Sequence, residues 1–175
     1  MKYSDDDEEV YVLKTMTAEN PYIRKVMEEL DAIKIPTNFS RMNSGVGQSI
    51  AMGKVNDRYH HTTHDGRYDA KYPELKKAIW ALGHKIVPFP FTTVQVNHNY
   101  RTKEHVDSHN VGMSLIIGLG DYKGGDLIVS GKAHSIKYKP TIFNGALHPH
   151  KTANFQGERY SLVFFRTPTI YKETD

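Results

Sequence analysis

Apolar residues recur along this chain with two different periods, and the change between them divides it. After Asn20-Pro21, an N-cap residue followed by proline at the first helical position, Tyr22, Ile23, Val26, Met27, Leu30 and Ile33 return at helical spacing. That spacing predicts a helix to about Lys34, stopped by Pro36. A second helix is predicted from Pro73, with Leu75, Ile79, Trp80 and Leu82 on its apolar side and Gly83 as its C-cap. From Pro88 onward the period is two. Phe91 to Tyr100, Met113 to Leu119, Asp126 to Ser130, Ala133 to Tyr138, Thr141 to Asn144 and Arg159 to Thr167 read as strands, separated by Gly, Pro and Asn turns. Val10 to Leu13 reads as a short first strand. Two helices followed by an unbroken series of short strands predict a mainly β, α+β chain, a jelly-roll core with N-terminal helices as buttresses.

Two stretches lack a clear period. Phe39 to Val55 contains Ser44-Gly45-Val46-Gly47-Gln48-Ser49, where no helix follows the glycines and no lysine sits at phosphate-loop spacing. A twisted strand or strand pair is expected there rather than a phosphate cradle. Asn56 to Tyr72 is polar and turn-rich and holds His60, His61 and His64. It reads as an exposed loop, with Arg58, Arg67 and Lys71 placed to shape substrate entry.

Composition narrows the chemistry. A chain of 175 residues is expected to form one domain, residues 10–175, preceded by an acidic tail over residues 1–9. The absence of cysteine removes disulfides, iron–sulfur clusters and thiolate zinc sites, so any metal is held by His, Asp or Glu. With no apolar leader and no run of membrane-spanning length, an intracellular protein is expected, cytoplasmic or nuclear and without a membrane partner. No subunit interface is legible, and a monomer is the expectation. The net charge of +3 combines −4 over residues 1–9 with +7 over the remainder. A basic body suits a polyanionic partner such as DNA or another nucleic acid, and equally suits an ordinary basic protein.

The candidate chemistry centres on Glu104-His105-Val106-Asp107-Ser108-His109-Asn110. In an extended segment residues two apart point the same way, so His105 and Asp107 can grip one ion together. With a second imidazole they make the facial triad of non-haem Fe(II) oxygenases, which leaves coordination positions open. Downstream, His150 lies nine residues before Arg159, and Arg159 shares a strand face with Ser161. An arginine directed into a core is costly unless an anion meets it, and a dicarboxylate ligand would supply one. The alternative is a protein carboxylate such as Asp126 or Glu158. Asn97 and Asn99, on one face of the strand before the triad, could line the same pocket or serve as ladder-edge residues.

Taken in order, His105-x-Asp107, His150 and Arg159-x-Ser161 resemble the 2-oxoglutarate/Fe(II)-dependent dioxygenases. Within them, His105-Val106-Asp107-Ser108-His109-Asn110 and the segment from Phe143-Asn144-Gly145 through His150, Thr152, Phe155, Gly157 and Arg159-Tyr160-Ser161-Leu162 are similar to the TET/JBP group. That group oxidises the 5-methyl of pyrimidine bases in DNA. The resemblance implies a double-stranded β-helix fold and O2, Fe(II) and 2-oxoglutarate as co-reactants. It implies His105, Asp107 and His150 as metal ligands and catalytic residues, and Arg159 and Ser161 as cofactor-binding residues. It also implies Asn110 as a contact to the substrate base, against the plainer reading of a turn asparagine. Arg58, Arg67, Lys132, Lys137 and Lys139 are candidate phosphate contacts. His148 competes with His150 as third ligand, and the spacing to Arg159 favours His150. Thr167 stands where animal TET enzymes carry a base-contacting histidine, which leaves the base open. Two rival readings remain: a prolyl-type protein hydroxylase using the same cofactors, and a catalytically silent jelly-roll binding module.

Overall fold

The computed structural model describes residues 10–37 and 45–169. The acidic run and residues 39–44 of the expected strand region lie outside the described residues. In chain order the elements are β1 (Val10–Val12), α1 (Pro21–Asp31), β2 (Gly45–Asp57), β3 (Thr62–Asp65), α2 (Arg67–Lys71), α3 (Pro73–Ile86), β4 (Thr93–Thr102), β5 (Ser114–Leu119), β6 (Tyr122–Gly124), β7 (Leu127–Val129), β8 (Lys132–His134), β9 (Thr141–Phe143), β10 (His150–Thr152), β11 (Phe155–Gly157) and β12 (Tyr160–Phe165). A seven-stranded sheet runs β1-β9-β5-β12-β4-β2-β3, facing a three-stranded sheet β10-β7-β8 and a two-stranded ribbon β11-β6. All named strand pairings are antiparallel. This is the expected mainly β jelly-roll. No helix among the described residues is long and apolar enough to cross a membrane.

Strand β12 shows how alternation builds the two layers. Leu162 pairs with Val96 and Ile117, and Val96 pairs in turn with Ile50. This row and Phe164 are buried in one cluster with Ile23, Val26 and Leu30 of α1 and Leu75, Ile79 and Leu82 of α3. Full burial of each such side chain contributes roughly 1.5–3 kcal/mol. The intervening residues take the other face, where Val163 packs against Ile116, Leu127, Val129, Ile136 and Phe143. Ser161, Asn97 and Ser49 form the polar row of that second face, in register across three strands.

Several local expectations change. Asn20 caps α1 as read, its Oδ1 accepting from the Tyr22 and Ile23 N–H groups at 3.0 and 3.3 Å. The helix nevertheless ends at Asp31, three residues early, as the chain turns to bury Ile35. Gly83 is not a C-cap but an interior residue of α3, whose cap is Val87. A Cβ at Gly83 would stand 2.6 Å from Phe91 Cζ and 2.7 Å from Phe164 Cε1, so the glycine is there for close packing. The stretch from Asn56 to Tyr72 is no open loop but a hairpin followed by a short helix. Asp57 closes the hairpin turn by accepting from the Tyr59 and His60 N–H groups, both at 3.0 Å. Asp69 then ties α2 to the Gly53 N–H of β2 and to Lys76 of α3. Strands β6, β10 and β11, three residues each, show no legible alternation and were not expected from it.

Candidate metal and cofactor site

Backbone bonds between the His105 and His150 segments set the geometry of the candidate metal ligands. His105 and His150 exchange N–H···O=C bonds in both directions at 3.0 Å, which brings a residue just after β4 against the start of β10. His105 Nδ1 lies 2.7 Å from the Lys103 carbonyl and His150 Nδ1 lies 2.9 Å from the His148 carbonyl. Each Nδ1–H is thus donated to the backbone, and each Nε2 lone pair is left for an ion. Asp107 sits between them, Oδ1 at 3.3 Å from His105 Nε2 and Oδ2 at 3.2 Å from His150 Nε2. Its backbone is held as well, with N–H to the Gly145 carbonyl at 2.8 Å and C=O accepting from Asn110 at 2.9 Å. A Cβ at Gly145 would meet His150 Cε1 at 3.0 Å and Asp107 Oδ2 at 3.5 Å, so this loop approaches both ligands closely. Among the described residues, His105, Asp107 and His150 form the one group whose donor atoms could hold a metal, all within 4.8 Å of one another. His148, the rival ligand, contributes its carbonyl rather than its ring.

Burial alone would raise Asp107, but hydrogen bonds and charge from His105 and His150 outweigh it and hold the carboxyl well below the usual range. A carboxylate held low stays charged at neutral pH, so Asp107 can offer a divalent cation its full negative charge.

Arg159 stands immediately ahead of β12. It is 2% exposed and directed inward from the start of β12. Its Nη2 donates to the Gly125 carbonyl at 3.1 Å, and its guanidinium lies 5.7 and 5.6 Å from the ring centres of Tyr122 and Phe155. Its Nε and the Tyr122 hydroxyl are buried without hydrogen-bond partners. Neither Asp126 nor Glu158 neutralises it. Asp126 acts only at a distance, while Glu158 bonds to His98 at 2.7 Å on the outside. Burial lowers the guanidinium below its ordinary value, opposed by Tyr122 and Asp126, and burial raises the Tyr122 hydroxyl, opposed by Arg159. A charged fork with an orphaned N–H beside an orphaned O–H fits a ligand carboxylate. Gly125, at φ +68, makes the room, because a Cβ there would stand 2.7 Å from Arg159 Nε.

A cavity of about 180 Å³ is lined by His105, Asp107, His150, Asn97, Ser161 and Asn110 among others. Arg159 itself is not in the lining; it lies two residues before Ser161, immediately ahead of β12. Tyr122 and Gly125 escaped the sequence reading, because a three-residue strand and its glycine turn carry no period.

Other candidates are placed elsewhere. Asn99 does not line the cavity. It adopts φ +49, and its side chain accepts from the Arg159 N–H at 2.8 Å, so it shapes the backbone that carries Arg159. The positive φ breaks the alternation that would have aligned it with Asn97. Arg58 and Arg67 line a second depression with Asn56, His64 and Tyr68 rather than the triad cavity. Ser49 borders this depression and bonds to Asn97 of the first. Lys137 donates from Nζ to the Tyr122 carbonyl at 2.8 Å. His60 pairs with Asp57 at 2.7 Å and His64 with the Asp65 carbonyl, so no second histidine metal site forms there.

No protein-family model matches the chain, and no curated protein matches it either. Solved structures do. NgTET1 in complex with 5mC DNA superposes with a TM-score of 0.66 at 13% identity, over 94% of this chain and 75% of that one. A 2OG-Fe(II) oxygenase family oxidoreductase from Burkholderia pseudomallei gives 0.56 at 14% identity, over 95% and 89%. A prolyl-4-hydroxylase from Pseudomonas putida gives 0.55 at 18% identity, over 93% and 94%. These likenesses rest on architecture rather than on sequence, and what they establish is the fold: a jelly-roll shared with 2OG-Fe(II) oxygenases.

Proposed function

We propose that this protein is an Fe(II)- and 2-oxoglutarate-dependent dioxygenase that hydroxylates an unactivated C–H. The observation that carries the reading is a His–Asp–His set on the wall of a cavity that Ser161 also lines, together with a buried guanidinium two residues from Ser161 that has no carboxylate partner. Fe(II) fits the donor set, two Nε2 atoms and one carboxylate, and 2-oxoglutarate fits the orphaned Arg159 and Tyr122 groups. Together with O2 these would supply an oxidant for the C–H bond, with succinate and CO2 released. The chain's own residues do the rest. His105 and His150 are pre-aligned by their backbone carbonyls, Arg159 and Ser161 anchor the far carboxylate, and Ile116, Leu127, Phe143 and Val163 exclude water.

Within this reading, residues 10–175 form the dioxygenase domain and the substrate is the 5-methyl of a pyrimidine base in nucleic acid. The ordered TET/JBP-like motif supports it, as does the likeness to NgTET1. Asn110 stands on the cavity wall where a base would enter, and Arg58 and Arg67 line the adjoining depression. A base inside a duplex must leave the stack to reach the metal, at a cost of a few kcal/mol. Phosphate contacts make binding fall steeply with salt. Anaerobic titration with Fe(II) and 2-oxoglutarate, followed by air and succinate detection, tests both levels. DNA carrying 5-methylcytosine should stimulate succinate formation. Succinate unchanged by DNA would send the search to protein substrates, and no metal-dependent 2-oxoglutarate binding would end the enzyme reading.

A further inference from the structure

The polar row on the second face of the large sheet continues past the cofactor end. Asn97 Nδ2 donates to Ser161 Oγ at 3.1 Å, Ser49 Oγ donates to Asn97 Oδ1 at 2.7 Å, and Gln95 Nε2 donates to Ser49 Oγ at 2.5 Å. Ser49, Asn97 and Ser161 are 1%, 6% and 2% exposed, whereas Gln95 is half-buried and lines the cavity. Such a chain has one polarity at a time, because a hydroxyl carries one proton and an amide has one oxygen end. In the reverse polarity Ser161 would spend its proton on Asn97 and turn a lone pair toward any carboxylate beside it. A ligand carboxylate at this end therefore selects the observed direction: Ser161 donates outward, Asn97 presents its oxygen to Ser49, and Ser49 accepts from the Gln95 NH2. Gln95 lines the cavity, and among the described residues its Oε1 is given no hydrogen bond.

We propose that Gln95 is a specificity-determining residue whose carbonyl, oriented through Ser49 and Asn97, requires an N–H donor on the substrate, as in the 4-amino group of a cytosine and unlike the 4-oxo group of a thymine. The proposal rests on the dioxygenase reading and deepens it, since it ties the choice of base to occupancy of the cofactor end. Ser49 acts in it as a positioning residue. Two bases bearing the same 5-methyl differ at position 4 in hydrogen-bond direction, and a site built for a donor rejects an acceptor by about tenfold or more.

The test uses the Fe(II)- and 2-oxoglutarate-loaded protein and two oligonucleotides identical except for 5-methylcytosine or thymine at one position. The ratio of kcat/KM values is read alongside anaerobic 2-oxoglutarate binding. The expected result is a ratio of about ten or more favouring 5-methylcytosine, falling toward one in Gln95→Met and in Ser49→Ala, and restored in Ser49→Thr. A loss of packing alone would lower both substrates together and leave the ratio unmoved. A Gln95→Met ratio equal to wild type, or a wild-type preference for thymine, overturns the proposal. Tight 2-oxoglutarate binding without oxidation of either oligonucleotide overturns it while sparing the cofactor assignment. No metal-dependent 2-oxoglutarate binding in the wild type overturns both.

Discussion

Asp107→Ala binds Fe(II) at least about 100-fold more weakly than wild type and releases no succinate above background. The expectation follows from position rather than from motif. Asp107 is the central member of the group, within 3.3 Å of both imidazole Nε2 atoms, and it supplies the only negative charge among the three. Its backbone bonds to Gly145 and Asn110 remain in the variant, so the loop keeps its path while the carboxylate is removed. Two neutral imidazoles then remain for the ion, one donor fewer and with no negative charge among them. Anaerobic calorimetry with Fe(II), or Mn(II) binding followed by its spectrum, measures the loss. Wild-type metal stoichiometry in Asp107→Ala would remove the triad from this site.

Arg159→Leu separates cofactor binding from metal binding and from stability. Metal affinity should stay near wild type, because Arg159 contacts none of the three ligands. The 2-oxoglutarate Kd should rise by roughly 30-fold or more, the usual consequence of removing one partner of a buried charge pair. The ligand-free protein should meanwhile be at least as stable as wild type. A buried guanidinium with an unpaired Nε costs free energy until an anion arrives, and an apolar side chain of lesser reach removes that cost. The paired measurement is thermal unfolding with and without 2-oxoglutarate in the presence of Mn(II). Wild type should gain in midpoint with ligand and the variant should not. A variant that melts well below wild type yet keeps its 2-oxoglutarate Kd would make Arg159 a structural residue. Arg159→Lys should not rescue binding fully, since an ammonium cannot offer the planar fork.

What could be read without coordinates was whatever depends on a short stretch of chain. Asn20-Pro21 starts a helix wherever it is placed, because capping and a fixed φ are local. The alternation in Leu162-Val163-Phe164-Phe165 tells which residues share a face, and so did the spacing of His105 and Asp107. Where the pattern is polar throughout, as from Asp57 to Asp65, alternation has no contrast to show, and the hairpin that Asp57 closes reads as a loop. Gly83 reads as an end signal because glycine means either a turn or a close approach, and only the rings of Phe91 and Phe164 decide between them.

The sequence by itself determined the fold class, the residue types able to hold a metal and an anion, and the order in which they occur. Tertiary structure alone decided which of them meet. The His105–His150 bridge joins residues 45 apart in the chain and sets the His150 ring beside Asp107, while His148 turns its carbonyl to that ring. The register of β12 on β4 and of β4 on β2 strings Ser161, Asn97 and Ser49 into one polar row, and a single positive φ at Asn99 turns that side chain to the backbone of Arg159. Tyr122 and Gly125 enter the site from a ribbon too short to announce itself. The reason is physical: local propensity depends on neighbours along the chain, whereas a site is made by groups whose separation in sequence carries no information about their separation in space.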